Sequence, residues 1–173
     1  MGFGIIKVTG NKIELIQFGD VPFDKKSDHL IRLKHIQEYA FNIIDKFQPD
    51  ELSIEAPFYG KNVQSMLKLG RAQGICMAAA LSRNIPVFEY SPKRIKQAIT
   101  GSGNASKEQV AGILANMFSI KNLPKNLDAT DGLAAALCHH LSDGLQELKS
   151  NEIKGKSKSW SDFTKENQDR IKR

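Results

Sequence analysis

Cysteine is scarce in this chain: only Cys76 and Cys138 occur, far apart and in no Cys-x-x-Cys pair. That excludes a disulfide-stapled scaffold, and it suits two free, buried thiols in a reducing cytoplasm. Long apolar runs are missing too. No stretch approaches the roughly 20 residues of a membrane span, and the N-terminus lacks the basic-then-apolar pattern of a secretory signal. Acid is almost absent from one long segment. Residues 60–107 carry Lys61, Lys68, Arg71, Arg83, Lys93, Arg94, Lys96 and Lys107 against Glu89 alone. The segment's net charge of +7 exceeds the +6 of all 173 residues. Such a block is either a solvated basic face or a surface for an anionic polymer.

What remains is ordinary globular material, with 40% hydrophobic and 25% charged residues, enough for one domain with a proper core. A core over 1–148 is expected, followed by a basic tail over 149–173. In that tail Trp160 and Phe163 stand isolated among Lys, Ser and Asn, a composition that predicts disorder.

Two β-rich runs, residues 4–8 and 13–18, flank a turn containing Gly10 and Asn11 and predict a hairpin. Helical spacing of Leu30, Leu33, Ile36, Phe41, Ile43, Ile44 and Phe47 predicts a helix over 25–47, capped by Asp24 or Ser27. Residues 52–55 form a short strand that ends in Glu55 and breaks at Pro57. A long helix over 62–83 follows, rich in Gly70, Ala72, Gly74, Ala78, Ala79 and Ala80. Small side chains there serve either packing on the sheet or a contact between two copies of the chain. A strand over 86–90, a short basic helix from Ser91-Pro92 to about Ala98, and a helix over 107–118 capped by Ser106 come next. The Gly101-Ser102-Gly103 loop is no nucleotide fingerprint, because no strand precedes it; it lets Lys107 and a helix N-terminus approach phosphate. The last helix is expected over 128–149. Strands alternating with helices, plus one antiparallel hairpin, make this an α/β chain with a mixed sheet.

Glu55, Asp128 and Asp131 are the candidate catalytic residues. Oxygen-only ligands suit a hard ion, Mg²⁺ or Mn²⁺, and a pair of such ions can stabilise both the attacking and leaving oxygens in phosphodiester hydrolysis. Asp128 and Asp131 lie three apart and share a helix face. The plainer alternative is that Asp128 caps the helix while Asp131 complements its dipole. His139 and His140 are read as ordinary late-helix residues rather than ligands.

Several separated motifs carry a resemblance. Residues 54–58 (Ile-Glu-Ala-Pro-Phe) with Lys61-Asn62, residues 67–74, residues 86–90 and residues 128–134 together resemble the RuvC family of Holliday junction resolvases over about residues 2–141. The resemblance implies a ribonuclease-H-like fold and a homodimer that nicks a four-way DNA junction symmetrically. It further implies Mg²⁺, two ions per subunit, held by Glu55, Asp128 and Asp131. Phe58 would stack on or wedge a base near the crossover, unless it is a core residue beneath its loop. Tyr59, Lys61, Arg94, Lys96 and Lys107 would contact DNA, and a branch-migration helicase is an implied partner. A non-catalytic junction-binding dimer, or a ribonuclease-H-like nuclease with another substrate, are the alternatives.

One departure stands out. The family begins with a strand ending in Gly-Ile-Asp-Pro-Gly, whose Asp is a metal ligand, followed by Thr-Gly-x-Gly. Met1-Gly2-Phe3-Gly4 resembles only the second half of that pattern. The expectation is therefore that a first, central strand is missing, that Met1 is an internal methionine, and that the 173 residues alone are inactive or poorly folded. Several buried unpaired backbone groups, at roughly 1–3 kcal/mol each, would rival a typical net stability of about 5–15 kcal/mol.

Overall fold

The computed structural model describes residues 1–22, 27–57, 62–124 and 127–153, with side chains through Ser142. Strands β1 (Gly2–Thr9) and β2 (Lys12–Asp20) form the expected hairpin. Gly10 takes φ 58, a left-handed conformation that a two-residue hairpin loop requires and glycine adopts freely. The ladder slips between Ile5 and Ile6, so that Ile16 is the extra residue of a β-bulge.

Helix α1 (His29–Phe47) starts later than the apolar spacing predicts. Asp28 caps it, its carboxylate accepting from Leu30 N–H at 2.8 Å; Asp24 lies outside the described residues. Strand β3 (Leu52–Glu55) pairs in parallel with β4 (Val87–Tyr90), placing Glu55 opposite Tyr90. Between them runs α2 (Val63–Leu81), which Asn62 caps. Pro92 sits in the first turn of α3 (Pro92–Thr100), and Gly101 ends it at φ 77. Ser106 and Gln109 close a reciprocal capping box on α4 (Lys107–Met117). Helix α5 runs from Asp128 to Ile153.

The hairpin and the β3–β4 pair form two separate two-stranded sheets; among the described residues no strand joins them. Within the compact unit Met1–His140, the period-two alternation of the strands sorts side chains onto two faces. On one face Leu52 and Val87 pack with Ile44, Ala79, Ala80 and Ile85 from α1, α2 and the chain entering β4. This assigns the small residues at the C-terminal end of α2 to packing inside the chain. Gly70 and Gly74, by contrast, have open space around them, and Val63, Leu67 and Leu69 are exposed. On the other face Ile6, Ile13, Leu15, Phe18 and Tyr90 meet the main cluster of Ile95, Val110, Leu114, Leu133, Leu137 and Cys138.

The tightest packing is where β1 crosses α5. A Cβ on Gly132 would lie 2.5 Å from Phe3 Cα, and one on Gly4 would overlap the backbone of Leu133. Backbone cannot yield as the end of a side chain can. Gly132→Ala is therefore expected to destabilise the protein by about 1–3 kcal/mol, measured as a shift of the urea midpoint. Gly112→Ala, at an open position on α4, is expected to be neutral or slightly stabilising.

Candidate active site

Glu55 is brought to the α5 face of its sheet by register. Leu52 packs towards α1 and α2, so Ser53 and Glu55, offset by one and three residues, face the opposite way. From below, Gln73 of α2 grips the end of the strand, its Nε2 donating to the Glu55 carbonyl at 2.6 Å. Asp128 and Asp131 occupy the first turn of α5. Asp128 is the first helical residue rather than the residue before the helix. The turn is tied instead by Thr130, whose hydroxyl donates to the Leu127 carbonyl at 2.6 Å.

Glu55 and Asp131 line one cavity of about 70 Å³, shared with Pro92, Ile95, Lys96, Lys107, Val110 and Ala134. Lys107 Nζ donates to Asp131 Oδ2 at 2.6 Å. Burial, first, and the Asp131 charge, second, raise the Glu55 carboxyl above its ordinary value; Lys107 and Lys96 pull the other way. The Lys107 ammonium is itself held above its ordinary range, chiefly by the hydrogen bond it donates to Asp131 and further by the charges of Asp131, Asp128 and Glu55. All three predicted acids thus act on one cation. An oxygen-only set whose field already draws an ammonium inward fits a hard divalent ion. Among the described residues, no three His, Cys, Asp or Glu side chains are gathered closely enough to hold an ion as they stand.

The basic block divides. Lys96 and Lys107 face the acids, whereas Arg83 forms an ion pair with Asp45 at 2.9 Å and stacks on Phe41. Arg94 lies half-buried on α3. Phe58, Tyr59 and Lys61 lie outside the described residues. Cys138 is buried; Cys76 is partly so, and burial pushes its thiol up to about 11, which leaves it unreactive.

Sequence reasoning passed over one group. His139 is a connected core residue: Phe88 lies 4.4 Å from its ring, and both its nitrogens are bonded. A carboxylate only accepts, so Nε2–H donates to Glu51 Oε2 at 2.7 Å, leaving Nδ1 to accept from the Tyr90 hydroxyl at 2.7 Å. The signal available was spacing: Asp131, Ala135 and His139 repeat every four residues on one face.

An α/β layering with a strand-end Glu facing an Asp-bearing helix is the layout of a ribonuclease-H-like nuclease. Comparison with solved structures agrees. Thermus thermophilus RuvC in complex with a Holliday junction substrate is similar at a TM-score of 0.76 and 28% identity, covering 84% of this chain and 88% of that one. The family model "Crossover junction endodeoxyribonuclease RuvC" matches residues 1–139. Proteins of that description from Christiangramia forsetii and Bacteroides fragilis are 56% and 53% identical over 99% of this chain, which covers 87% and 90% of their lengths. The chain belongs to the RuvC family.

The raised Glu55 carboxyl has a consequence for stability. Between its ordinary value of 4.5 and its raised folded value, the native state binds more protons than the unfolded chain, so stability falls as pH rises through that window. Without divalent ions, Glu55→Gln is expected to raise the urea midpoint at pH 7, by a stability gain that solvent screening of the half-buried group keeps small, no more than about 1 kcal/mol. Urea melts should show that difference closing as pH falls below 4.5.

Proposed function

We propose that this protein resolves four-way DNA junctions by paired, symmetric phosphodiester cleavage, with Glu55, Asp128 and Asp131 as the acidic residues of each site. The observation that carries the reading is the shared cavity, in which Glu55 and Asp131 meet and Lys107 supplies the only positive charge bonded to Asp131 among the described residues. Similarity to a RuvC bound to a Holliday junction supports the substrate.

Glu55, Asp131 and Asp128 would hold Mg²⁺ or Mn²⁺, two ions per subunit. Bound there, such ions activate water and stabilise the leaving oxygen. The protein's own residues do the rest. The Gln73 grip on the main-chain carbonyl of half-buried Glu55 fixes the strand end from which the carboxylate projects. Lys107 serves as a counter-charge to the acids and, once an ion competes for Asp131, is released towards a phosphate beside the scissile bond. Lys96, on the same cavity, and Arg94 extend the phosphate contact along α3. Phe58, Tyr59 and Lys61 follow the Glu55 strand and would meet DNA at the crossover. The exposed Val63 and Leu67 with the open Gly70 and Gly74, at i, i+4, i+7 and i+11 of α2, would supply a face for a second copy, which symmetric nicking requires. A branch-migration helicase would act on the same junction.

A panel of labelled duplex, fork, four-way and RNA–DNA hybrid substrates tests this. Selective binding of the four-way junction is expected, with Asp131→Asn and Glu55→Gln keeping that binding within about threefold while cutting falls by about a thousandfold or more. Equal binding of duplex and junction would contradict it.

A further inference from the structure

Beyond the acids themselves, the structure assigns to His139 the role of a positioning residue: it clamps α5 to the sheet that carries Glu55, so that Asp131 faces Glu55 across the cavity. This rests on the reading of that cavity as a divalent-ion site. Three contacts converge on the one ring. Glu51, bonded at 2.7 Å to Nε2, lies immediately before β3. Tyr90, bonded at 2.7 Å to Nδ1, ends β4 directly opposite Glu55. Phe88, two residues earlier on the same strand face, packs on the ring at 4.4 Å. His139 therefore touches both strands of the parallel pair at once, from a single point on the helix.

That point shares a helix face with Asp131, eight residues and about 12 Å earlier along the axis. Leu133 and Leu137 of α5 pack by area, which resists separation but constrains sliding and rotation less than a directed bond does. Hydrogen bonds to two ring nitrogens fix direction as well as distance. A helix rotated by one residue would carry Asp131 out of the cavity; the doubly bonded ring opposes that rotation. His139 is only 8% exposed, so the ring is sheltered from competing water, whereas the Glu51 side chain, 42% exposed, meets solvent.

His139→Phe keeps the ring stack and loses both bonds; His139→Gln keeps donor and acceptor in part. Mn²⁺ binding by the full chain, without DNA, is read by calorimetry, with Glu55→Gln as the control that must weaken it. Expected for His139→Phe is Mn²⁺ affinity at least fivefold weaker, with partial recovery in His139→Gln. Backbone amides over 128–134 are expected to exchange faster in His139→Phe at a temperature where the chain remains folded. Tyr90→Phe should weaken Mn²⁺ binding in the same direction, and the double variant Tyr90→Phe/His139→Phe by less than the product of the two. If the parent binds no Mn²⁺, or Glu55→Gln leaves binding unchanged, the metal-site reading falls and this role with it. If the control behaves and His139→Phe binds Mn²⁺ like the parent, only the positioning role is overturned. Should His139→Phe fail to fold, Tyr90→Phe and Glu51→Ala, each of which removes one bond to the ring, carry the test, and unchanged Mn²⁺ binding in both overturns it.

Discussion

Two negative charges in one half-buried cavity repel, and that repulsion organises the site. The Glu55 carboxyl is held above its ordinary value by burial and by Asp131, so as a bare site it is costly to the fold. A cation must offset the cost. Among the described residues Lys107 does so, bonded to Asp131 and drawn further by Asp128 and Glu55. A divalent ion would do it better, because it carries twice the charge and binds oxygens directly. On the proposed function, stability is thus spent to keep acids where phosphodiester chemistry would use them, a trade common at active sites.

For that arrangement to persist, three elements must keep their places. Backbone of β1 lies against backbone of α5 because Gly4 and Gly132 leave room for no side chain. Gln73 holds the end of β3 by the Glu55 carbonyl. His139 ties the far part of the same helix face to Glu51 and Tyr90. Close approach, strand grip and ring clamp each fix a different degree of freedom of the acids.

Much of this was legible in residue order. The hairpin, the Glu55 strand, the basic α3 and the caps at Ser91 and Ser106 all follow from local chemistry: alternation, turn residues and side chains that bond their own backbone. Asp128 and Asp131 on one helix face followed from spacing alone. What spacing did not reveal were relations between distant residues. The expected start of α1 at residue 25 was too early because apolar spacing, which begins only at Leu30, does not mark where the first turn starts, whereas the Asp28 cap does. The basic block read as uniform, yet Arg83 is engaged by Asp45, 38 residues earlier. His139 looked unremarkable because its partners, Glu51 and Tyr90, lie 88 and 49 residues away. Small residues in α2 fall into two environments, buried at Ala79 and Ala80 and open at Gly70 and Gly74, which composition cannot separate.

The central claim is that the acids form a cation site in which Lys107 stands as counter-charge. Free Mn²⁺ measured by electron paramagnetic resonance, in the absence of DNA, tests it through one substitution. Lys107→Met removes the competing ammonium while leaving the carboxylates intact, so it should bind Mn²⁺ several-fold more tightly than the parent, whereas Asp131→Asn should bind at least tenfold more weakly. Mn²⁺ affinity that is unchanged by both substitutions would contradict the account.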